Sequence, residues 1–169
     1  MKLATLTRAF LLAISVSLSI CSTAGAMQQL LADRVLVIKS QKRLLLFNNG
    51  EVLKIYKVAL GRKGGAKASQ GDHKTPEGHY IIDRRNSASR FYKSLHISYP
   101  SAEDVSKAKC SGKKPGKDVM IHGLPKGYED LGTAHSFRNW TDGCIAVSNE
   151  EMDEIWKLVP VGTRIDIVP

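Results

Sequence analysis

The amino-acid sequence predicts a mainly β protein, a mixed sandwich or barrel that carries helices at its margin. Three observations support this fold class. About eight short apolar or alternating runs are separated by turn-forming residues, only one segment has a firm helical stripe, and strands do not alternate with helices. One firm helix in the C-terminal half and one weak short helix are therefore expected beside the sheet.

The first three predicted strands form an antiparallel meander. Residues 34–39 contain four consecutive apolar side chains, as in a buried strand, and residues 43–47 give a second apolar run. Residues 48–50, Asn-Asn-Gly, indicate a hairpin turn because Asn and Gly tolerate positive φ. Residues 52–60 then supply the third strand.

The middle of the chain is predicted to hold a long loop and two more strands. Residues 61–71 are rich in Gly, Lys and small polar side chains, which is typical of a mobile loop or the rim of a binding groove. A turn at residues 75–78 leads into a strand over residues 79–83, which the polar residues 84–86 are expected to end. Residues 94–99 alternate apolar and polar side chains and predict a half-buried strand.

A weak helix and a short strand follow. The helix is predicted over residues 102–108, with Ser101 as its N-cap. Residues 118–121 are largely apolar and indicate a strand that delivers His122 at its end. Residues 124–139 are predicted to form a second long loop.

The C-terminal helix has the clearest signal in the chain. Ser148 and Glu151 have the spacing of a capping box, which marks a helix start. Residues 163–168 alternate and predict a closing strand. An apolar stripe at positions i, i+3, i+4 and i+7 predicts a face packed on the core, formed by Met152, Ile155, Trp156 and Val159.

The N-terminus has the pattern of an export signal. Residues 1–26 combine early basic side chains, an apolar run and a small-residue end, so the mature chain is expected to begin near residue 27. Residues 27–32 are a short leading segment and residues 33–169 one domain. The mature protein is expected in the periplasm or cell envelope, without a transmembrane anchor.

The charge of the chain predicts an anionic partner. The formal charge of +9 falls to +7 once the signal, with two basic and no acidic residues, is removed. Basic residues are scattered and are not interleaved with aromatic residues, so nucleic acid is not expected as a partner. Acidic polymers of the envelope fit an exported protein better.

Residues 140–147, Trp-Thr-Asp-Gly-Cys-Ile-Ala-Val, contain a candidate nucleophile, Cys144. In an extended segment Asp142, Cys144 and Ala146 share one face, so the thiol is expected to look into a groove. Gly143 removes a side chain beside the thiol and leaves backbone N–H groups for an oxyanion. The arrangement suits acyl transfer.

A disulfide is the alternative fate of this cysteine. An oxidising compartment would permit Cys144 to pair with Cys110, which lies in a basic, glycine-rich segment. The protein would then be a basic, non-catalytic module that binds the cell wall.

A thiol nucleophile needs a base, and one histidine is best placed to serve. His122 ends a strand and is followed by Gly123, whereas His135 lies in a polar loop nine residues before Cys144. The histidines and cysteines lack metal-ligand spacing, so no metal or other cofactor is expected. The remaining histidines are His73, His79 and His96.

Three motifs in this order resemble the YkuD-type L,D-transpeptidase domain. They are the pair His122-Gly123, residues 141–145 with the sequence Thr-Asp-Gly-Cys-Ile, and residues 71–78 with the sequence Gly-Asp-His-Lys-Thr-Pro-Glu-Gly. The resemblance covers residues 33–169. It implies a mainly β catalytic domain that acts on the stem peptides of peptidoglycan.

The resemblance also implies a reaction and roles for site residues. Cys144 is expected to attack the carbonyl of the third stem residue and form a thioester, with His122 as general base and acid. The carbonyl of Gly123 is expected to orient the imidazole, and the N–H groups of Gly143 and Cys144 to bind the oxyanion. The acceptor is another stem peptide, an envelope protein's lysine or a free D-amino acid; water in that role would make the protein a carboxypeptidase.

The chain departs from the family motif at two positions. The usual motif is Ser-His-Gly-Cys followed by a hydrophobic residue and Arg or Asn, whereas Asp142 and Ala146 occupy the histidine and Arg or Asn positions here. The Asp142 carboxylate is expected to disfavour a thiolate, or to grip an acceptor ammonium. Arg138 is the candidate replacement for the basic contact, and His135 is a further candidate substrate contact.

Overall fold

The computed structural model describes residues 30–169, so the predicted signal lies outside the described residues. The two α-helices are α1 (Ala102–Cys110) and α2 (Asn149–Leu158), and a 3-10 helix spans Glu129–Phe137. The strands are β1 (Arg34–Ile38), β2 (Arg43–Asn48), β3 (Glu51–Lys57), β4 (Gly78–Ser89), β5 (Tyr92–Ile97), β6 (Met120–His122), β7 (Ile145–Ala146) and β8 (Arg164–Val168).

The eight strands follow one another in the order β3-β2-β1-β8-β4-β5-β6-β7, which confirms the mainly β class. β1 pairs with β8 and β6 with β7 in parallel, and the other pairs are antiparallel. β4 joins the two halves, because its first part pairs with β8 and the part beyond the irregularity at Ile82 pairs with β5. The predicted meander is β1, β2 and β3.

Strand β4 is longer than predicted. The polar residues 84–86 do not end it; it continues to Ser89. The reason is tertiary, since the guanidinium of Arg85 lies 3.9 Å from the ring centre of Trp156 on α2 and Nη2 donates to its carbonyl. The charge of Arg85 suggested a solvent-exposed side chain in a loop, but the side chain packs on α2 instead.

Both helices begin as the sequence predicts. Ser101 and Ser148 each accept a hydrogen bond from the backbone N–H of the third helical residue, and the carboxylates of Asp104 and Glu151 each accept one from the backbone N–H of the cap. The predicted stripe of α2 faces the core, where Met152, like Ile155 and Val159, is fully buried. Truncating such a side chain to Ala typically costs about 2–5 kcal/mol, so the stripe anchors α2 firmly.

The loop over residues 61–71 is held by one carboxylate instead of lying free. Asp72 accepts hydrogen bonds from the backbone N–H groups of Ala68, Ser69 and Lys74 and from Lys67 Nζ. Burial acts to raise the pKa of Asp72, but these bonds outweigh it and lower the pKa to about 2. The loop is therefore fixed beside the C-terminal half of the sheet.

The predicted loop over residues 124–139 contains the 3-10 helix, which is interrupted at Gly132 with φ of 47°. Within residues 30–169, no helix combines the length and apolar character needed to cross a membrane.

Candidate active site

Cys144 and His122 lie on neighbouring parallel strands. His122 pairs with Ala146, so Cys144 sits two residues earlier in register, beside Met120. The thiol donates to the carbonyl oxygen of Asp118 at 3.7 Å, and no hydrogen bond joins it to His122 within the described residues. The strand pairing brings the two predicted groups onto adjacent strands, and the hydrogen-bond partner of the thiol is the Asp118 carbonyl.

His122 is buried, oriented and uncharged. Its Nδ1 lies 2.7 Å from the carbonyl oxygen of Gly123, and only 3% of the residue is exposed. The ring stacks on Phe91 with centres 4.5 Å apart and meets Trp140 edge-on at 5.8 Å. Burial, with the nearby charge of Arg90, lowers the pKa to about 4 against the opposing effect of the Gly123 bond. A neutral ring that donates from Nδ1 carries its lone pair on Nε2.

The start of α2 requires the glycine after His122. A Cβ on Gly123 would lie 2.5 Å from Oδ1 of Asn149, the first residue of α2. That oxygen accepts from the N–H of Leu124 at 2.8 Å. Helix α2 therefore fixes the chain just beyond His122.

The thiol is neutral at rest. Burial raises the pKa of Cys144, and the carboxylates of Asp142 and Asp118 add to the rise. A hydrogen bond from the Met120 backbone and the charge of Lys67 oppose it.

The segment before Cys144 is a turn, so the prediction of an extended run over residues 140–147 is wrong. Only Ile145–Ala146 are strand. The hydroxyl of Thr141 donates to the carbonyl of Cys144 at 2.7 Å and accepts from the N–H of Gly143 at 3.1 Å. The Thr141 hydroxyl thus takes the place of the backbone partners that a strand would supply, and the apolar, β-branched residues of this segment did not indicate such a turn.

Gly143 is needed for space and conformation. Its φ is +130°, and a Cβ there would lie 2.7 Å from the carbonyl oxygen of Lys74. Its N–H is bonded to Thr141, so the prediction that this group binds an oxyanion needs correction. The Cys144 N–H is left as the candidate donor.

Asp142 is exposed but already paired. Its Oδ1 accepts from Nη2 of Arg62 at 2.5 Å and lies 2.7 Å from Nδ1 of His73. Arg62 and His73 both contact Oδ1, and the side chain is 74% exposed, so a contact of Asp142 with an acceptor ammonium stays a prediction. Ala146 is fully buried and forms a bridge with Ala59.

Lys67 is a site cation that the sequence did not single out. It is only 5% exposed and its Nζ lies 2.9 Å from Oδ1 of Asp72. It is one of the charges that lower the Cys144 pKa. Asp72, in the Gly-Asp-His-Lys motif, is the residue that could have indicated Lys67, because a carboxylate that becomes buried requires a cation nearby.

His135 and Arg138 lie on the other side of Trp140, around an apolar cavity of about 640 Å³. His135 is buried and both ring nitrogens face backbone carbonyls, those of Gly132 at 2.6 Å and Ala146 at 3.2 Å. Its predicted substrate contact needs correction, since the ring positions the loop. Arg138 is exposed at the rim and forms no ion pair with Asp142, whose cation is Arg62.

Cys110 and Cys144 are both free thiols. The structure therefore does not support the alternative in which a disulfide between them leaves a non-catalytic module.

The family comparison agrees with this geometry. The model of the YkuD family, described as the L,D-transpeptidase catalytic domain, matches residues 32–167. The chain belongs to this family.

Curated relatives of this YkuD domain carry the same family name. "Putative L,D-transpeptidase YafK" of Escherichia coli K12 is 33% identical over 141 residues, which are 78% of this chain and 50% of that protein. "Putative L,D-transpeptidase YqjB" of Bacillus subtilis is 26% identical over 132 residues, covering 78% and 68%. The chain thus spans about half the length of YafK.

Solved structures share the fold. The helical cell shape determining protein Pgp2 (K307A mutant) of Campylobacter jejuni is 25% identical with a TM-score of 0.60, covering 82% of this chain and 47% of that one. An L,D-transpeptidase of Xylanimonas cellulosilytica, 18% identical over 83% of this chain and 62% of its own, has a TM-score of 0.53 and shows the fold alone.

Proposed function

We propose that the protein is an exported peptidoglycan-modifying cysteine acyltransferase that acts on stem peptides through a thioester on Cys144. The observation that carries this proposal is the hydrogen bond of His122 Nδ1 to Gly123, which holds a neutral imidazole one strand away from the thiol. A fixed tautomer with a free lone pair is what a general base for a cysteine requires.

Acylation begins from two neutral groups. Because burial raises the pKa of Cys144 and lowers that of His122, an ion pair is not formed in advance. The thiol leaves the Asp118 carbonyl and passes its proton to Nε2 of His122 as the sulfur attacks the stem-peptide carbonyl. The C–S bond forms, the amide C–N bond breaks, and the imidazolium returns the proton to the leaving amine.

The charge that develops on the carbonyl oxygen needs donors. The Cys144 N–H is one candidate, and the buried ammonium of Lys67, 4.0 Å from where a Cβ of Gly143 would stand, adds a positive field beside the turn. These groups stabilise the negative charge on the carbonyl oxygen in the transition state more than they stabilise the resting enzyme, in which the thiol is neutral.

The acyl group then passes to an amine acceptor, for which a second stem peptide, an envelope protein or a D-amino acid are the candidates. Hydrolysis is the second candidate function. Cys144 is only partly buried, so water can reach the thioester. An L,D-carboxypeptidase or amidase activity on stem peptides would follow.

Analysis of muropeptides after incubation with the mature protein tests the function. Cross-linked or exchanged peptides, absent with Cys144→Ala, support transfer. Shortened stems with no new amide bond support hydrolysis. Unchanged muropeptides, with a protein that unfolds cooperatively, would contradict both. Cys110→Ala is the matched control, because Cys110 is exposed at the end of α1.

A further inference from the structure

Three histidines in residues 30–169 pair through Nδ1 with a carboxylate, and one of these carboxylates, Asp142, lies two residues before Cys144. His79 pairs with Asp166 at 2.7 Å and His96 with Asp83 at 2.6 Å, both on the sheet. The third, His73 with Asp142 at 2.7 Å, is formed by two loops.

The His73–Asp142 pair lies against the turn that carries Cys144. The carbonyl of Lys74, the residue after His73, is 2.7 Å from where a Cβ of Gly143 would stand. His73, Asp142 and Asp118 all line one cavity of about 350 Å³. The carbonyl of Asp118 also accepts the thiol hydrogen bond, so Asp118 links the thiol to the cavity that His73 lines.

The surrounding structure holds His73 in an uncommon backbone conformation. Its φ is +57°, and its carbonyl accepts from the N–H of Lys63 at 3.1 Å. Gly61 packs against the same carbonyl so closely that a Cβ would lie 2.5 Å from it. Strained residues held by several contacts are concentrated at functional sites.

The hydrogen bonds select one tautomer. Oδ1 of Asp142 lies 2.7 Å from Nδ1 of His73, and a carboxylate only accepts, so Nδ1 must donate to it. Arg62 Nη2 donates to the same oxygen, and its 3.1 Å approach to Nδ1 is then a contact between two donors. Nδ1 then carries the proton and Nε2 the lone pair. The Nε2 atom has no hydrogen-bond partner among residues 30–169, and the side chain is 30% exposed.

We propose that His73 is a second general base, which takes a proton from the acceptor as it attacks the Cys144 thioester. This inference rests on the proposed function. The acceptor nitrogen, or a water oxygen, bonds to the carbonyl carbon and the C–S bond breaks. The acceptor proton goes to Nε2 of His73, the sulfur leaves as thiolate, and the proton returns to it through solvent.

The experiment separates the two half-reactions with a defined stem peptide. Acyl-enzyme formation is followed by intact mass, and transfer by release of the acyl group to an added amine. The variants are His73→Asn, which tolerates positive φ and can still donate to Asp142, and Asp142→Asn, which removes the orienting charge. His79→Asn is the control, because it removes an equivalent His–Asp pair away from the thiol.

In His73→Asn we expect acylation within about 3-fold of wild type and transfer slower by about 100-fold, the low end for general base catalysis, so the thioester accumulates. Asp142→Asn should show the same pattern more weakly, and it carries the test if His73→Asn does not fold. Hydroxylamine is already a neutral nucleophile at the working pH and depends less on a general base, so it should restore release of the acyl group from Cys144 in both variants.

Equal losses of acylation and transfer in His73→Asn, unchanged transfer, or the same effect in His79→Asn would overturn the inference. A wild-type protein that forms no thioester would instead refute the proposed function.

Discussion

The Nδ1 atom of His122 lies 2.7 Å from the carbonyl oxygen of Gly123, the next residue in the chain. A bond between sequence neighbours survives only if the backbone is held, and Gly123 is pressed against Asn149 at the start of α2. The start of the capped helix α2 therefore holds the backbone that orients the His122 imidazole.

The lowered pKa of His122 predicts an acid-sensitive fold. The unfolded ring titrates near 6.5 and the folded ring near 4, so between these pH values the unfolded chain binds more protons and stability falls as the pH falls. Replacement by Phe should remove a dependence of roughly 3 kcal/mol between pH 7 and pH 4. Urea unfolding of wild type and His122→Phe at both pH values measures it. Equal pH dependence in the two proteins would contradict the buried, neutral ring.

Gly143→Ala should disrupt the turn that carries the nucleophile. The new Cβ would lie 2.7 Å from the Lys74 carbonyl at a φ of +130°, so we expect a loss of about 1–3 kcal/mol and of activity. Gly64→Ala is the control, since nothing lies within 4 Å of its Cβ. Thermal unfolding of the two variants measures the loss of stability, and the muropeptide assay measures the loss of activity. A Gly143→Ala protein as stable and active as Gly64→Ala would show that the turn is not constrained in this way.

Lys67→Met should destabilise the protein and make the thiol less reactive. It leaves the Asp72 carboxylate buried without its cation, at a cost of about 3 kcal/mol, and removes a charge that lowers the Cys144 pKa. The rate of Cys144 alkylation against pH, followed by peptide mass, should shift to higher pH. Lys63→Met, at an exposed position in the same loop, should leave the profile in place. An unshifted alkylation profile in Lys67→Met would show that the charge of Lys67 does not affect the pKa of Cys144.

The strands and α2 were predictable because their signals are local. The turn at Asn49 and Gly50, with φ of 50° and 85°, and the capping box of Ser148 each depend on a few adjacent residues. The extension of β4 was not, because its cause, the packing of Arg85 on Trp156, joins residues 71 positions apart.

The candidate site divides in the same way. The bond from His122 to Gly123 is between neighbours, and the resemblance to the family implied it, whereas the strand-end position of the histidine indicated only the candidate base. The partners of Asp142 are 80 and 69 positions upstream, at Arg62 and His73, and no periodicity in the chain connects them. Nor did the sequence reveal that the Thr141 hydroxyl would take the N–H of Gly143.

Intact mass after incubation with a carbapenem, a β-lactam whose strained amide a reactive thiol would open to form a thioester, tests the nucleophilic role of Cys144 most directly. We predict one adduct on wild type and on Cys110→Ala, mapped to Cys144, and none on Cys144→Ala. The absence of an adduct on the folded wild type, or an equal adduct on Cys144→Ala, would contradict the account.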